Sequence, residues 1–263
     1  FRTPRHIIRC MVAMLDPQPG EHIIDPAAGT GGFLFSSLSH ILAQHTDPEL
    51  QRIEWDGTPH RIYGNRFTPE EYSAIHRGEF YVGFDNDRTM VRIGWMNMIL
   101  HGIENPQIHQ RDSLGRRKED DPLKELISSE HYDVVLANPP FTGTVDAADL
   151  DGAIFPKAGL KGKKATQVVT NKSELLFVWR MLDLLRVGGR CAVIVPEGVL
   201  FGNTDAHLRL RRELLTEHRV EAVISLPGGV FQPYTGVKTS ILIFQKETRK
   251  EDRFKWKSVD PPR

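Results

Sequence analysis

Two stretches of this chain place residues in an order that suits chemistry: Asp25-Pro26-Ala27-Ala28-Gly29-Thr30-Gly31-Gly32-Phe33 and Asn138-Pro139-Pro140-Phe141. In the first, an acid closes a short apolar run, two small residues follow, and Gly-x-Gly opens a segment of helical periodicity. Glycines at such a turn permit positive φ and bring bare backbone N–H groups against a ligand at a helix N-terminus. Leu34 stands where the dinucleotide fingerprint has its third glycine, so a pyrophosphate fits poorly. An acid, small residues and Gly-x-Gly suit a ligand carrying an ammonium group, as S-adenosylmethionine does. The alternative is a tight strand-to-helix turn with a capping Asp. In the second stretch, Asn138 precedes proline and is pushed to extended geometry, while the two prolines fix φ near about −65° and remove N–H donors. The Asn138 side-chain oxygen and the Pro139 carbonyl can then each accept one hydrogen of an exocyclic NH2, and Phe141 offers its ring a stacking face.

Two further acids end predicted strands. Asp85, in Gly83-Phe84-Asp85, lies where a carboxylate can grip a ribose diol. Asp112, in Arg111-Asp112-Ser113, lies where it could accept from an adenine amino group. Either could instead cap a helix or open a turn.

The elements that must position these residues follow from periodicity. Short β-branched runs predict strands at His22 to Asp25, Phe80 to Phe84, Gln107 to His109, Tyr132 to Ala137, Cys191 to Val195, Glu221 to Ser225 and Lys238 to Phe244. Helical segments fall between them at Pro4 to Leu15, Gly32 to Gln44, Thr89 to His101, Leu123 to Ser128, Ser173 to Arg186 and Ala206 to His218. This alternation predicts βαβ units and a mostly parallel sheet. The last two strands are joined by PGGVFQPYTG, too short for a crossover helix, and should pair antiparallel. Asn171 and Glu174 resemble a capping box, and Val187-Gly188-Gly189 a helix stop. Trp95 and Met96 to Met98, at helical spacing, read as core.

Two segments interrupt the alternation. Thr46 to Glu79 reads as a polar insertion, and Thr142 to Lys172 as a loop of about 30 residues, well beyond the ~12 to 15 usual for a structureless connection. The second carries Lys157, Lys161, Lys163, Lys164 and Lys172 with no acid between Pro156 and Lys172. It is either a solvated surface or, leaving the carboxyl edge of the sheet as it does, a substrate-facing loop. The tail from Lys246 to Arg263 mixes both signs and reads as solvated.

Lys+Arg and Asp+Glu are both 34, which excludes a wholly electrostatic nucleic-acid binder but leaves room for a local basic face. Cys10 and Cys191 stand far apart without a CxxC, so neither a disulfide framework nor a thiolate zinc site is indicated. The histidines show no metal-ligand spacing, and no Ser sits in a G-x-S-x-G elbow. No apolar run approaches the ~18 residues of a membrane span. A reducing, cytoplasmic location is expected.

In this order, FRTPR, DPAAGTGGF, GFDND, RDSL and NPPF resemble the N6-adenine DNA methyltransferases whose cofactor motifs precede the catalytic one. MNMILHG, NKSELLFVWRMLDLLRVGGRCAVIVPEGVLFG and LPGGVF more closely resemble the modification (M) subunit of type I restriction-modification systems. The resemblance implies an α/β class I S-adenosylmethionine-dependent methyltransferase: a Rossmann-like seven-stranded sheet in the order 3-2-1-4-5-7-6. It implies one catalytic domain over 1–245, with a cofactor half at about 1–131, a catalytic half at about 132–245 and a polar tail at 246–263. The family's helical domain ahead of the TPR element is expected to be absent from this chain.

The resemblance also assigns roles. Phe1, Thr3 and Pro4 fall in the element that touches the methionine end of the cofactor. Asp25, Ala27, Gly29, Thr30, Gly31, Gly32 and Phe33 form the loop under it. Asp85 is the ribose acid, Asp112 and Ser113 join the cofactor site, and Asn138, Pro139, Pro140 and Phe141 are the catalytic tetrapeptide. The implied reaction moves a methyl group from S-adenosylmethionine to N6 of an adenine flipped out of DNA. Lys161, Lys163 and Lys164 would meet phosphates. The implied partners are DNA, a specificity (S) subunit, a second M subunit and a restriction (R) subunit, with no metal and no membrane. An N5-glutamine protein methyltransferase, and a cofactor-holding structural subunit without turnover, remain as alternatives.

Overall fold

A computed structural model describes residues 3–116, 120–146, 148–151, 154, 170–233 and 235–247. In chain order the elements are α1 (Arg5–Leu15), β1 (Ile23–Asp25), α2 (Gly32–Gln44), β2 (Arg52–Ile53), β3 (Pro59–His60), α3 (Pro69–Arg77), β4 (Tyr81–Asp85), α4 (Arg88–Leu100), β5 (Gln107–Gln110) and β6 (Tyr132–Ala137). There follow α5 (Ser173–Leu184), β7 (Leu185–Pro196), α6 (Glu197–Phe201), α7 (Asp205–Thr216), β8 (Arg219–Ser225) and β9 (Thr239–Gln245).

Seven strands form one sheet, ordered β5-β4-β1-β6-β7-β9-β8. Counted along the chain, that is 3-2-1-4-5-7-6. The first five pair in parallel, and β9 runs antiparallel to both β7 and β8. A central parallel strand is covered on both faces and therefore reads as one apolar run; YDVVLA of β6 is buried at every position. Its side chains alternate between two cores. Val134 and Leu136 join Ile8, Met11, Leu38 and Met98 beneath α1, α2 and α4, while Val135 and Ala137 join Leu176, Met181 and Leu210 beneath α5 and α7. The sheet's carboxyl edge, where β1, β4 and β6 end at Asp25, Asp85 and Ala137, thus presents three of the predicted motifs side by side.

Several elements differ from the sequence reading. Leu123 to Ile127 forms consecutive turns instead of the helix expected over Leu123 to Ser128. The polar insertion folds, with β2 and β3 as an antiparallel hairpin and α3 started by a capping box between Thr68 and Glu71. Asn171 and Glu174 make no such box: the N-cap of α5 is Lys172, without a side-chain cap. Gly188 and Gly189 do not stop α5, which ends at Leu184 and passes directly into β7.

The stop comes from Lys246. This residue is 1% exposed, contrary to the solvated tail expected of it. Its ammonium donates to the carbonyls of Leu182 and Leu185 at 2.8 and 2.7 Å and pairs with Glu130 at 3.2 Å. A cation satisfying the last carbonyls of a helix also complements its dipole. Trp95 and Met96 are also misread, being 42% and 60% exposed; only Met98 of that run is core. Helical spacing predicts a shared face, not which face is covered.

Replacing Lys246 by Met keeps the volume but strands two buried carbonyls. Lys246→Met should lower stability by about 1.5–3 kcal/mol, read as a fall in the urea midpoint at unchanged slope.

Candidate active site

The glycine loop is gripped from two sides, by the tip of β4 and by α4. Asp85, at the tip of β4, accepts from Gly29 N–H at 2.8 Å, and its other oxygen accepts from Asp87 N–H at 2.8 Å. Asn97 of α4 donates to the Thr30 carbonyl at 3.0 Å. Gly94 of α4 lies so near the loop that an added Cβ would meet Gly29 O at 3.1 Å. Gly31 adopts φ +76° as the N-cap of α2, and a Cβ there would meet Ile108 Cδ1 at 3.2 Å.

At the end of β1, Asp25 is buried and accepts from Ala27 N–H at 3.0 Å. Burial pushes its carboxyl up to about 8; the Ala27 bond opposes this and the neighbouring Asp85 charge adds to it. Across the sheet edge, Asn138 donates through Nδ2 to Thr3 Oγ1 at 2.8 Å. Its Oδ1 is buried with no hydrogen-bond partner among the described residues. An unpaired buried acceptor costs about 1–3 kcal/mol, so this oxygen has capacity for a further donor.

A cavity of about 1250 Å³ joins these features, with Thr3, Asp25, Ala27, Gly29, Thr30, Gly32, Phe33 and Asn138 among its lining residues. These residues fit S-adenosylmethionine: bare backbone at Gly29 and Gly32, a helix N-terminus, and Asn138 with its unpartnered amide oxygen, all on residues that line one space.

Of the other predicted residues, Pro4, Gly31, Asp85, Asp112, Ser113, Pro139, Pro140 and Phe141 are not among those lining this cavity. Pro4 is the N-cap of α1. Asp85 keeps capacity for further donors, since a carboxylate can accept about four hydrogen bonds. Asp112 is exposed and accepts from Leu114 N–H at 2.9 Å. Ser113 is turned inward, its hydroxyl donating to Pro26 O at 2.6 Å. Pro139 is buried and Pro140 exposed. Phe141 is 8% exposed and meets Phe231 edge-on, with ring centroids 5.4 Å apart. Phe1, Lys161, Lys163 and Lys164 lie outside the described residues.

Sequence reasoning missed four supports. Asn97 and Phe231 sit in MNMILHG and LPGGVF, motifs that carried the family resemblance but no assigned role; a lone amide in an apolar helix was the available signal for Asn97. Gly94 lies one turn before it. The fourth is Arg180, fully buried, which donates to Ser113 O at 2.6 Å, Asp183 at 3.1 Å and Asp151 at 3.0 Å. It ties the loop after β5 to the chain that follows the tetrapeptide.

The N-6 DNA Methylase family model matches residues 1–258. The type I restriction enzyme EcoEI methylase subunit of Escherichia coli is 32% identical over 247 residues, covering 94% of this chain and 42% of that protein. The EcoKI methylase subunit of E. coli strain K12 is 30% identical over 256 residues, covering 94% of this chain and 40% of that protein. The solved structure of the EcoKI M protein superimposes with a TM-score of 0.69 at 27% identity, over 94% of this chain and 44% of that one. The fold is that of the class I S-adenosylmethionine-dependent methyltransferases. The chain spans less than half the length of these relatives. Among the described residues, no helix is long and apolar enough to cross a membrane.

Because the Asp25 carboxyl is raised in the folded protein, the folded state holds its proton where the unfolded chain releases it. Stability should therefore fall as pH rises from about 4 to about 8. Asp25→Asn should flatten that slope, measured as urea midpoints across the interval. Gly31→Val, strained at positive φ, should weaken S-adenosylmethionine binding about tenfold or more by calorimetry.

Proposed function

The chain belongs to the N-6 DNA methylase family, and from that premise we propose that it is the catalytic part of a type I modification subunit, transferring a methyl group from S-adenosylmethionine to N6 of adenine in DNA. The observation that carries this reading is the buried, unpartnered Oδ1 of Asn138, a residue that lines the same cavity as the glycine loop. With the Pro139 carbonyl next along the chain, it supplies two acceptors for an NH2 group.

Bound in the cavity, S-adenosylmethionine supplies an electrophilic methyl group. The chain's own residues do the rest. An adenine inside a duplex cannot bring its amino group to a buried acceptor, so the target base is extruded into the site. Its N6 lone pair is delocalised into the ring. Asn138 and Pro139, each accepting one N6 hydrogen, favour the pyramidal and more nucleophilic nitrogen. Their bonds strengthen toward the transition state, which is the condition for accelerating a reaction. Phe141, braced by Phe231, gives the base an apolar wall. Asp85 and Asp112 are available to the ribose and adenine of the cofactor. The lysines Lys161, Lys163 and Lys164, with no acid nearby in sequence, meet DNA phosphates. A specificity subunit reads the target sequence, a second modification subunit completes the methyltransferase, and a restriction subunit joins it in the nuclease.

Labelled methyl transfer by the full-length protein with its specificity subunit tests this reading, offering DNA and protein acceptors in parallel. Label on N6 of adenine is the expected result, whereas label on a protein glutamine would replace it with the N5-glutamine activity. Asn138→Ala should reduce the single-turnover rate by about 10² to 10³-fold, the scale set by removing one preorganised polar group. Asn138→Asp, which retains an acceptor oxygen, should keep partial activity. Wild-type turnover in Asn138→Ala would instead favour the structural-subunit alternative.

A further inference from the structure

We propose that Thr3 is a positioning residue for the Asn138 amide, holding the nitrogen end of that side chain so that the oxygen end is left for the reacting amino group. The proposal rests on the adenine methyltransferase reading and deepens it. The oxygen and nitrogen ends of an Asn side chain are nearly the same size, yet only the oxygen can accept from an NH2 donor. Proline after Asn138 restricts its backbone but leaves the terminal torsion free to present either end. Among the described residues, the side chain makes one hydrogen bond, from Nδ2 to Thr3 Oγ1 at 2.8 Å. That bond occupies the nitrogen and leaves Oδ1 as the buried, open acceptor.

The partner is well anchored, although 135 residues separate the two positions. Pro4 follows Thr3, disfavours helical geometry there, and starts α1. Ile7, Ile8, Met11, Val12 and Leu15 bury one face of that helix. Its far end is clamped by Arg190 of β7, which donates to the carbonyls of Leu15 and Asp16 and pairs with Glu21 at 2.7 and 2.8 Å. Thr3 thus directly precedes the N-cap of a helix seated against the sheet that carries Asn138.

The test uses the full-length protein at saturating cofactor and DNA. Thr3→Val, which keeps the shape and removes the hydroxyl, should slow single-turnover methylation about three- to tenfold, the factor carried by one neutral hydrogen bond. Thr3→Ser should recover most of that loss. In an Asn138→Ala background, Thr3→Val should cost nothing further, because a residue acting through Asn138 has no target once the amide is gone. A second readout needs no cofactor. The preference for DNA with adenine over purine lacking the exocyclic amino group at the target should shrink in Thr3→Val toward the value for Asn138→Ala. An equal loss in both backgrounds, or an unchanged rate in Thr3→Val, overturns the assignment while the adenine reaction stands. Absence of transfer to DNA adenine by the wild-type protein overturns the functional reading and this inference with it.

Discussion

The hydrogen bond from Gly29 N–H to the Asp85 carboxylate fixes the rest of the site, because it locks a loop on one strand to the tip of the next. The backbone from Gly29 to Gly31 has few side-chain atoms with which to hold itself. Its shape is imposed from outside, by Asp85 at one edge and by Asn97 and the bare Gly94 surface at the other. Once that path is set, α2 leaves in a defined direction and Asp25 is sealed beneath the turn. The interaction is charge-assisted, the stronger class of hydrogen bond. Burial raises the proton affinity of Asp25, and the Asp85 charge at the tip of the neighbouring strand adds to it. Positioning and electrostatics at this edge therefore have a common origin.

A second layer of control comes from cations buried deep in the protein. Arg180 and Lys246 are both fully enclosed, and each spends its donors on backbone carbonyls as well as on carboxylates. Burial of a charge is tolerable only where its hydrogen-bonding capacity is met, and removal of one partner leaves the others stranded. Such groups are poor sources of net stability but strict enforcers of geometry. Here they bind segments that are remote in sequence: Ser113 to Asp151, and Leu182 to the end of β9.

What was legible in the sequence was local. The glycine turn, the Asn-Pro-Pro shelf and all seven sheet strands announce themselves through spacing, fixed torsions and short β-branched or apolar runs within windows of a few residues. The α3 helix was equally local, since Thr68, Pro69 and Glu71 form a capping signature, but its polar composition hid it inside an insertion. The errors elsewhere concern relations across the chain. A charged residue near the end of the sequence reads as solvated, and nothing near Lys246 reveals that the end of α5 waits for it. Trp95 and Met96 belong to an apolar helix, and periodicity does not disclose which flank meets the sheet. The pairing of Thr3 with Asn138 joins two motifs that were each recognised, yet their contact exists only in three dimensions.

The direct passage from α5 into β7 bears on how this architecture can vary in length. No connecting residues separate Leu184 from Leu185; β7 lies between β6 and β9, and although its pairing with β6 shifts register between Leu185 and Arg190, both pairings run unbroken from Arg190 to Val193. One residue inserted beyond Arg190 would turn every following side chain of the strand to the opposite face of the sheet, exchanging the contents of two cores at once. Insertions and deletions are therefore confined to places where chain is paid out beyond the sheet, as between α2 and β4, where a hairpin and α3 accommodate the extra length without altering any register.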